Sequence, residues 1–369
     1  MKLASYNVEN LFQRAVAMNT TNTEEGTAAL NMHHEMNQIL SKAVYSPDDK
    51  ARILKLMKDL GILKKDDGGN WVVLRQNRGH LVTRRKNGTV EVVANGRADW
   101  IGWLDLKYEA VNDIAVRMTA RVIGEVKPDV LALVEAENRP SLLRFCNDVM
   151  PSEGAGPFAH VMLIDGNDPR GIDVAIMMRK GFDIAAIQSH VDDKDDVGIV
   201  FSRDCAVYKI TTPLGNSLHV LVNHFKSKSG DQHQANKKRE RQAKLVAKIY
   251  NQMRQDGVQL IAVVGDLNDF PASPPLKALI EGTNLKDIST HAAFDNGGFP
   301  GTFGGCTAQN KIDYILMSPE LLAKVTAGGV FRKGMWPGVS PPKWQKYDEI
   351  TTPVEAASDH AAIWAEIDI

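Results

Sequence analysis

Short, almost continuous apolar runs recur along this chain, each bounded by polar or acidic residues. Runs of this kind are typical of strands that are buried on both faces, because successive side chains point to opposite sides of a sheet. The predicted strands are Leu3–Tyr6, Val130–Val134, Val174–Met178, Leu218–Val222, Ile261–Val264, Tyr314–Met317 and Ala362–Ile367. Amphipathic stretches between them predict helices at Tyr108–Glu125 and Gln234–Met253. This mixture indicates an α/β fold, with sheet packed on sheet or helix on sheet.

The composition is that of an ordinary globular protein, with 43% hydrophobic and 24% charged residues and a formal net charge of −1. The three cysteines, Cys146, Cys205 and Cys306, are far apart and odd in number, which argues against a disulfide framework or a cysteine zinc site. The first residues lack the apolar core of a signal peptide, and no apolar stretch is long enough for a transmembrane helix. We therefore expect a cytoplasmic protein without a membrane segment.

Residues 13–107 interrupt the alternation and predict an inserted helix-plus-hairpin subdomain, which leaves residues 1–12 and 108–369 for the main domain. The elements predicted within it are helices at Asn31–Ser41 and Pro47–Leu60 and strands at Trp71–Leu74, Gly79–Arg84 and Thr89–Val93. Asn87-Gly88 predicts a tight hairpin turn, because this pair tolerates positive φ. From Lys50 to Arg97 there are twelve Lys and Arg against four Asp and Glu. The excess indicates either a phosphate-binding face or simply a solvated helix and hairpin.

Residues able to bind metal or transfer protons lie at the ends of the predicted strands, where α/β folds place their sites. They are Asn7, Glu9, Glu135, Asn223, His224, Asp266, Asn268, Asp313, Asp359 and His360. Any one of them has an ordinary explanation as a turn residue. Together they imply several carboxylates close to one another, which is unfavourable unless a cation neutralises them. Oxygen ligands of this kind suit Mg²⁺ or Mn²⁺ rather than zinc.

The order of these motifs resembles the endonuclease/exonuclease/phosphatase superfamily, which includes DNase I, abasic-site endonucleases, sphingomyelinases and inositol-polyphosphate phosphatases. The matching motifs are Tyr6-Asn7-Val8-Glu9, Asp129 to Glu135, Arg170-Gly-Ile-Asp173, Asn223-His224, Gly265-Asp266-Leu-Asn268, Ile312-Asp313-Tyr-Ile and Ser358-Asp359-His360. The resemblance covers roughly residues 1–12 and 108–369. It implies a four-layer α/β sandwich of two packed mixed β-sheets flanked by helices, with the site at one end.

The resemblance also implies roles for individual residues. The implied metal ligands are Asn7, Glu135 and Asp359, the catalytic residues are His224, Asp266, Asn268, Asp313 and His360, and the substrate-binding residues are Arg170, Lys226 and Lys228. Asp266 would orient or deprotonate the attacking water, and Asn268 would hold that water or a phosphate oxygen. His360 would contact the scissile phosphate while Asp313 fixes its tautomer, and His224 would donate to the same phosphate. Asp173 would position Arg170.

The chain departs from the family pattern at three places. Val134 replaces the usual Gln before the metal-binding Glu, and Glu9 stands where many members have Asp. Glu137 follows Glu135 by two residues on the same side of an extended strand, so it is a rival metal ligand. The active-site tyrosine of abasic-site endonucleases has no clear counterpart, which argues against abasic-site repair.

These features favour a Mg²⁺- or Mn²⁺-dependent nuclease that acts on DNA. Lys226, Lys228 and the basic start of the following helix, Lys237 to Arg241, would add to the basic insertion as a track for a phosphate backbone. The alternative is a phosphatase or phosphodiesterase for a small or lipid phosphate, because one fold serves many substrates. A non-catalytic binding module is a third hypothesis, disfavoured because every expected catalytic position is filled. Endo- and exonuclease action, DNA and RNA, and one or two metals all fit the motifs.

Overall fold

The computed structural model describes residues 1–19, 23–168, 170–228, 231–339 and 341–369. They divide into two compact units, one formed by Met1–Phe12 and Val111–Ile369 and the other by Gln13–Ala110. The second boundary lies three residues beyond the predicted one, because Tyr108–Ala110 is a strand that pairs with Gln13–Ala15 inside the smaller unit. That the smaller unit is an insertion into a catalytic domain stays a prediction.

The larger unit contains two mixed sheets. In spatial order the strands of the seven-stranded sheet are Phe294–Asp295, Val325–Phe331, Ala362–Ile367, Lys2–Asn7, Val130–Ala136, Asp173–Met178 and His160–Ile164. Those of the six-stranded sheet are Asp183–Gln188, Ala206–Thr211, Ser217–His224, Ile261–Asp266, Asp313–Met317 and Lys286–Asp287. Each sheet has a parallel pair at its centre with antiparallel neighbours on both sides. The seven-stranded sheet has a second parallel pair at its edge, between Phe294–Asp295 and Val325–Phe331. All seven strands predicted from apolar runs are present.

Alternation of side chains along the central strands builds the layers. One set of fully buried residues, including Leu3, Val130, Ile176, Val220 and Ile315, forms a core between the two sheets. The opposite set packs under helices, which explains why the strands read as continuous apolar runs instead of alternating ones.

A helix covers the outer face of each sheet. Val122 of the helix Asp113–Val126 packs in the core outside the first sheet, and Val246 of the helix Gln232–Gln255 packs in the core outside the second. The order helix, sheet, sheet, helix confirms the predicted four-layer sandwich of two packed mixed sheets.

The three longest helices of the larger unit begin at polar caps. The long helix after the insertion begins at Asp113, because the side chain of Asn112 accepts a hydrogen bond from the amide of Ile114. The prediction of a helix from Tyr108 was therefore wrong at its start. The short helices are Arg139–Arg144, Lys277–Ile280 and Pro319–Leu322, and single turns occupy Phe145–Val149, Met150–Glu153, Pro274–Leu276, Ile288–Thr290, Ala308–Asn310 and Pro353–Glu355. Lys194–Asp195 and Gly198–Ile199 form a small hairpin.

The smaller unit has its own apolar core, which includes Leu56 and Trp100. Its helices are Val16–Asn19, Thr23–Leu40 and Pro47–Asp59, and its strands are Gln13–Ala15, Val72–Arg78, Val82–Arg84, Val90–Val92, Ile101–Leu106 and Tyr108–Ala110. Ser46 caps the third helix, with its hydroxyl accepting from the amide of Asp49 at 3.1 Å. The hairpin predicted at Asn87-Gly88 is also present, with Gly88 at φ +88°.

The three cysteines are buried and form no disulfide, as expected. Among the described residues, no helix combines the length and apolar character needed to cross a membrane.

Candidate active site

The central strands of both sheets end at the same side of the sandwich and bring distant motifs together. Asn7 ends one strand, and its side-chain amide lies 3.2 Å from Glu135 Oε1 and 3.2 Å from Asp266 Oδ2. The same nitrogen lies 3.4 Å from His360 Nε2. In the second sheet, Asp266 stands in register between His224 and Asp313. Residues separated by up to 353 positions thus meet around one amide group.

Glu135 reaches this point through an irregularity in its strand. The neighbouring strand pairs Asp173 with Ala136 and Val174 with Val134, so Glu135 is an extra residue, a β-bulge. Its φ is +67°, a left-handed conformation that costs a non-glycine residue about 1 to 3 kcal/mol. Bulges of this kind redirect a side chain at the edge of a site.

Glu137, the rival to Glu135, is engaged elsewhere. Its Oε1 accepts hydrogen bonds from the amides of Leu11 and Phe12 at 2.9 and 2.6 Å. Glu137 therefore stabilises the loop that follows the first strand, and the geometry favours Glu135 as the residue that faces the site.

The Ser358-Asp359-His360 motif is fastened to the first strand by its serine. Ser358 Oγ donates to the carbonyl of Asn7 at 2.8 Å and accepts from the amide of His360 at 3.0 Å. The amide of Asp359 donates to Glu9 Oε2 at 3.1 Å, so Glu9 holds the motif from the other side. The Asp359 side chain is 45% exposed, and its Oδ1 lies 3.7 Å from His360 Nε2. Asp359 therefore lies at the mouth of the site.

His360 is oriented by Asp313. Its Nδ1 lies 2.9 Å from Asp313 Oδ2, and Thr302 Oγ1 donates to the same carboxylate oxygen at 2.6 Å. Burial disfavours the charged form of His360, but the neighbouring carboxylates, above all Asp313, outweigh it and raise the pKa of the imidazole well above its usual value. The hydrogen bond to Asp313 therefore favours the imidazolium form of His360, whose Nε2–H points away from Asp313.

Asp266 and Asn268 form a compact turn after the second-sheet strand. Asn268 has φ +54°, which brings its amide to 2.7 Å from Asp266 Oδ1 and its side-chain nitrogen to 3.0 Å from Asp266 Oδ2. The side chain of Asn268 also donates to the carbonyl of Phe225 at 3.2 Å. Burial and the adjacent Asp313 carboxylate raise the pKa of Asp266 to about 7.

His224 has a different environment from His360. The fully buried guanidinium of Arg203 lies against its ring, with Nη2 2.7 Å from His224 Nε2 and Nε 3.1 Å from Nδ1. Because a guanidinium can only donate, the ring nitrogen bonded to it must accept. Burial, together with Arg203, holds the pKa of His224 well below its usual value. The pKa values of the two histidines are thus shifted in opposite directions.

Arg170 is held by Asp168, whereas the sequence analysis assigned that role to Asp173. Arg170 Nη2 and Nε lie 2.7 and 3.0 Å from the two oxygens of Asp168. Asp173 instead accepts from the amide of Gly166 at 2.6 Å. The expectation for Asp173 is wrong because Asp168 lies in the same turn as Arg170, where its carboxylate accepts from both the backbone and the side chain of that residue.

The basic segment after His224 is only partly available to a ligand. Lys226 is half-buried, and burial together with Arg170 lowers its pKa to about 8. Lys228 lies more exposed, 3.2 Å from Asp269 Oδ1. Arg239 does not face solvent as a basic track requires, because it is buried against Asp269 Oδ2 at 3.1 Å.

Part of the basic charge of the smaller unit is paired with acidic residues. The ion pairs within that unit are Lys42–Asp49, Arg52–Glu35, Arg75–Asp105, Arg84–Asp66, Arg85–Glu91 and Lys107–Asp67. Lys55, Lys58, Lys64, Lys65 and Lys86 are exposed. Four of the twelve basic residues counted from Lys50 to Arg97 therefore have an acidic partner, and most of the others are exposed.

The donor set fits a divalent cation. Among the described residues, Asp266, Asp313 and His360 present ligand atoms within 4.8 Å of one another, although the hydrogen bond between Asp313 and His360 accounts for part of that closeness. Glu135 and Asp266 face the same Asn7 amide, and a hard cation bound there would neutralise both carboxylates. The side-chain oxygen of Asn7, Oδ1, accepts a hydrogen bond from the backbone amide of Glu9 at 3.0 Å, while its side-chain nitrogen faces the carboxylates. The side-chain amide of Asn7 must therefore rotate before its oxygen can bind a metal.

Comparison with known proteins agrees with this geometry. The family described as Endonuclease/Exonuclease/phosphatase matches residues 90–328. Two solved structures from Bacteroides thetaiotaomicron share the fold, each at 18% identity and a TM-score of 0.50. The first, a mannosyl-6-phosphatase from strain VPI-5482, covers 69% of this chain and 92% of its own. The second, an endonuclease/exonuclease/phosphatase family protein, covers 68% and 86%. No curated protein matches the chain.

The family match spans more than half of the chain, and the two mixed sheets with their flanking helices have the fold expected of it. This chain therefore belongs to the endonuclease/exonuclease/phosphatase family of phosphoester hydrolases.

Proposed function

We propose that the chain is a Mg²⁺- or Mn²⁺-dependent phosphodiesterase that cuts DNA by in-line attack of water. The observation that supports this best is the meeting of three functions around one amide group: the Glu135 carboxylate, the Asp266 carboxylate and the Asp313-bound imidazole of His360. Phosphoester hydrolysis needs a cation, a group that accepts a proton from water and a donor to the phosphoryl oxygens.

Asp266 is the group that orients the attacking water and takes its proton. Asn268 donates to both oxygens of Asp266, at 2.7 and 3.0 Å, and so fixes the plane of the carboxylate. Its side chain is also placed to hold the water or a phosphate oxygen.

His360 donates from Nε2 to the phosphoryl oxygens, where negative charge accumulates in the transition state. Asp313 keeps the opposite ring nitrogen protonated and the ring fixed. His224 is the second histidine of the proposed site, with its ring held against the Arg203 guanidinium, and Arg170, Lys226 and Lys228 bind the substrate around it.

Glu135, with Asn7 and Asp359, is the set that would hold the metal. When bound, a divalent cation polarises the phosphoryl group and stabilises the leaving oxygen. The protein's contribution is to keep the carboxylates of Glu135 and Asp266 apart from bulk water and 3.2 Å from a common amide.

Nucleic acid is the proposed substrate because exposed lysines continue outward from the His224 segment. Lys228 is followed by Lys237, Lys244 and Lys248 on the exposed side of the helix Gln232–Gln255. A row of lysines at one-turn to two-turn spacing can follow a phosphate backbone without reading its sequence.

A second candidate is a phosphatase or phosphodiesterase for a small or lipid phosphate. It is favoured by the pairing of Arg84 with Asp66 and of Arg85 with Glu91, which removes part of the charge available to a polyanion. The two candidates differ in salt dependence, because only a polyanion releases many counterions on binding.

The test is an assay on plasmid, linear and single-stranded DNA, RNA, a small phosphodiester and a small phosphomonoester, with Mg²⁺, Mn²⁺ or EDTA. We expect cleavage of DNA with either metal, none with EDTA, and a loss of about 10²- to 10⁴-fold in Asp266→Asn and His360→Gln. Asp195→Asn and His233→Ala, both at exposed positions, are the matched controls. Full activity in Asp266→Asn would refute the mechanism. Hydrolysis of the phosphomonoester alone would show that the chain is a phosphatase and not a nuclease.

A further inference from the structure

Two buried charged side chains that lie outside the family motifs, Asp168 and Arg203, connect the substrate-binding residues of the site. Their side chains are 5% and 1% exposed, and Arg203 Nη1 lies 3.1 Å from Asp168 Oδ2. Each then contacts one residue that faces the candidate site. Asp168 binds the Arg170 guanidinium through both oxygens, and Arg203 lies against the ring of His224.

The charges of this cluster do not balance by themselves. A single carboxylate, Asp168, serves two guanidinium groups, and the half-buried ammonium of Lys226 lies close enough to both that they help to lower its pKa. Within this group one carboxylate lies among three cationic side chains, and the carboxylates of Glu135 and Asp266 also act on Arg203. The cationic groups are therefore held next to the acidic end of the site, where they can meet the oxygens of an anion.

We propose that Asp168 and Arg203 are positioning residues for phosphate binding, Asp168 by holding Arg170 and Arg203 by holding His224, so that both groups face one phosphoryl group. The inference rests on the proposed function, since it takes the phosphoryl group of that reaction as the anion. Asp168 and Arg203 are too buried to touch the substrate, and they act through the two residues that do. The shared carboxylate couples the two contacts, so losing it disturbs both.

The experiment is a double-substitution cycle read by two measurements. Asp168→Asn, Arg170→Gln and the combined variant are compared for affinity for inorganic phosphate, by calorimetry with Mg²⁺, and for kcat and KM on a small phosphodiester. We expect each single variant to lose about 10- to 100-fold in phosphate affinity and in kcat/KM, mainly through KM. The combined variant should be no weaker than the weaker single one, because both changes remove the same contact.

A matched control exists on the same unit. Glu320 and Arg254 form an ion pair of the same type, and the Arg254 side chain is 23% exposed, close to the 19% of Arg170. Glu320→Gln and Arg254→Gln should leave phosphate affinity and KM unchanged. Thermal unfolding of all variants separates loss of fold from loss of positioning.

Three results would overturn the inference: additive losses in the combined variant, unchanged phosphate affinity in Asp168→Asn, or equal losses in the control pair. If Asp168→Asn does not fold, Arg203→Lys takes its place, because it keeps the charge but loses the fork that meets both Asp168 and His224. Wild-type phosphate affinity in Arg203→Lys would then overturn it. If the wild-type chain binds phosphate but does not cut DNA, the proposed nuclease activity is refuted. The positioning role of Asp168 and Arg203 is then tested by the phosphate affinities of the variants.

Discussion

Asp173 offers a sharp test of how this fold treats a buried carboxyl group. Its side chain is 5% exposed, it pairs with Ala136 next to the Glu135 bulge, and it accepts a hydrogen bond from the amide of Gly166. Burial raises its pKa from 3.8 to about 7, with smaller contributions from nearby acids. The folded protein therefore keeps a proton on Asp173 at pH values where the unfolded chain has lost it.

This difference in proton binding sets the sign and size of the pH dependence of the free energy of unfolding. Between about pH 4 and pH 7 the folded state binds one more proton than the unfolded state, so the free energy of unfolding falls by about 1.4 kcal/mol per pH unit. The full effect is about 4 kcal/mol, present below pH 4 and lost by pH 7. Asp173→Asn removes it, because the amide does not ionise and can still accept from Gly166.

The assay is urea unfolding of wild type and Asp173→Asn at pH 5 and pH 8, followed by tryptophan fluorescence. We expect the variant to gain stability relative to wild type as the pH rises, by about 2 to 3 kcal/mol between these values. Asp192→Asn, at an exposed position, should show no such change. A difference between wild type and Asp173→Asn that is the same at both pH values would refute the reasoning.

Four further substitutions test single contacts. Glu135→Gln should reduce metal-dependent hydrolysis at least about 100-fold, while Glu137→Gln should retain it and lower the unfolding midpoint; equal losses of activity would contradict the choice between them. Thr302→Val removes a hydrogen bond to Asp313 and should lower kcat about 10-fold without changing KM, as steady-state kinetics can establish. Gly265→Ala places a Cβ 1.9 Å from a carbonyl oxygen at φ +123°, so it should cost more than about 3 kcal/mol in unfolding experiments; a wild-type midpoint would contradict this.

The strands that the sequence predicted are the ones buried on both faces. The strands that it missed carry a weaker pattern for physical reasons. Asp183–Gln188 is an edge strand with mostly exposed side chains, so burial imposes no apolar run on it. Val325–Phe331 contains Gly328, where a Cβ would come within 3.0 Å of the Phe294 ring, and glycine weakens any strand prediction.

The sequence predicts site residues that belong to short motifs at the ends of strands. It does not predict residues whose place in the site depends on tertiary packing. Glu135, Asp266 and His360 lie together because the strands that carry them are neighbours or face each other. Arg203 has no local pattern that distinguishes it from a surface arginine, and only the fold buries it against His224. The same limit explains Arg239, which a sequence places on a basic helix face and the structure places in the core.

The bulge at Glu135 means that strand length, rather than strand composition, encodes part of the active site. Leu131, Leu133 and Ala136 share the core outside the first sheet, so the two-residue period is broken by one position between Leu133 and Ala136. A chain lacking Glu135 would restore that period and keep the same apolar residues in the core. Deletion of this one residue should therefore produce a family member that folds but has lost its carboxylate. Gain or loss of a single codon at this place is a route by which such a scaffold can exchange catalysis for binding.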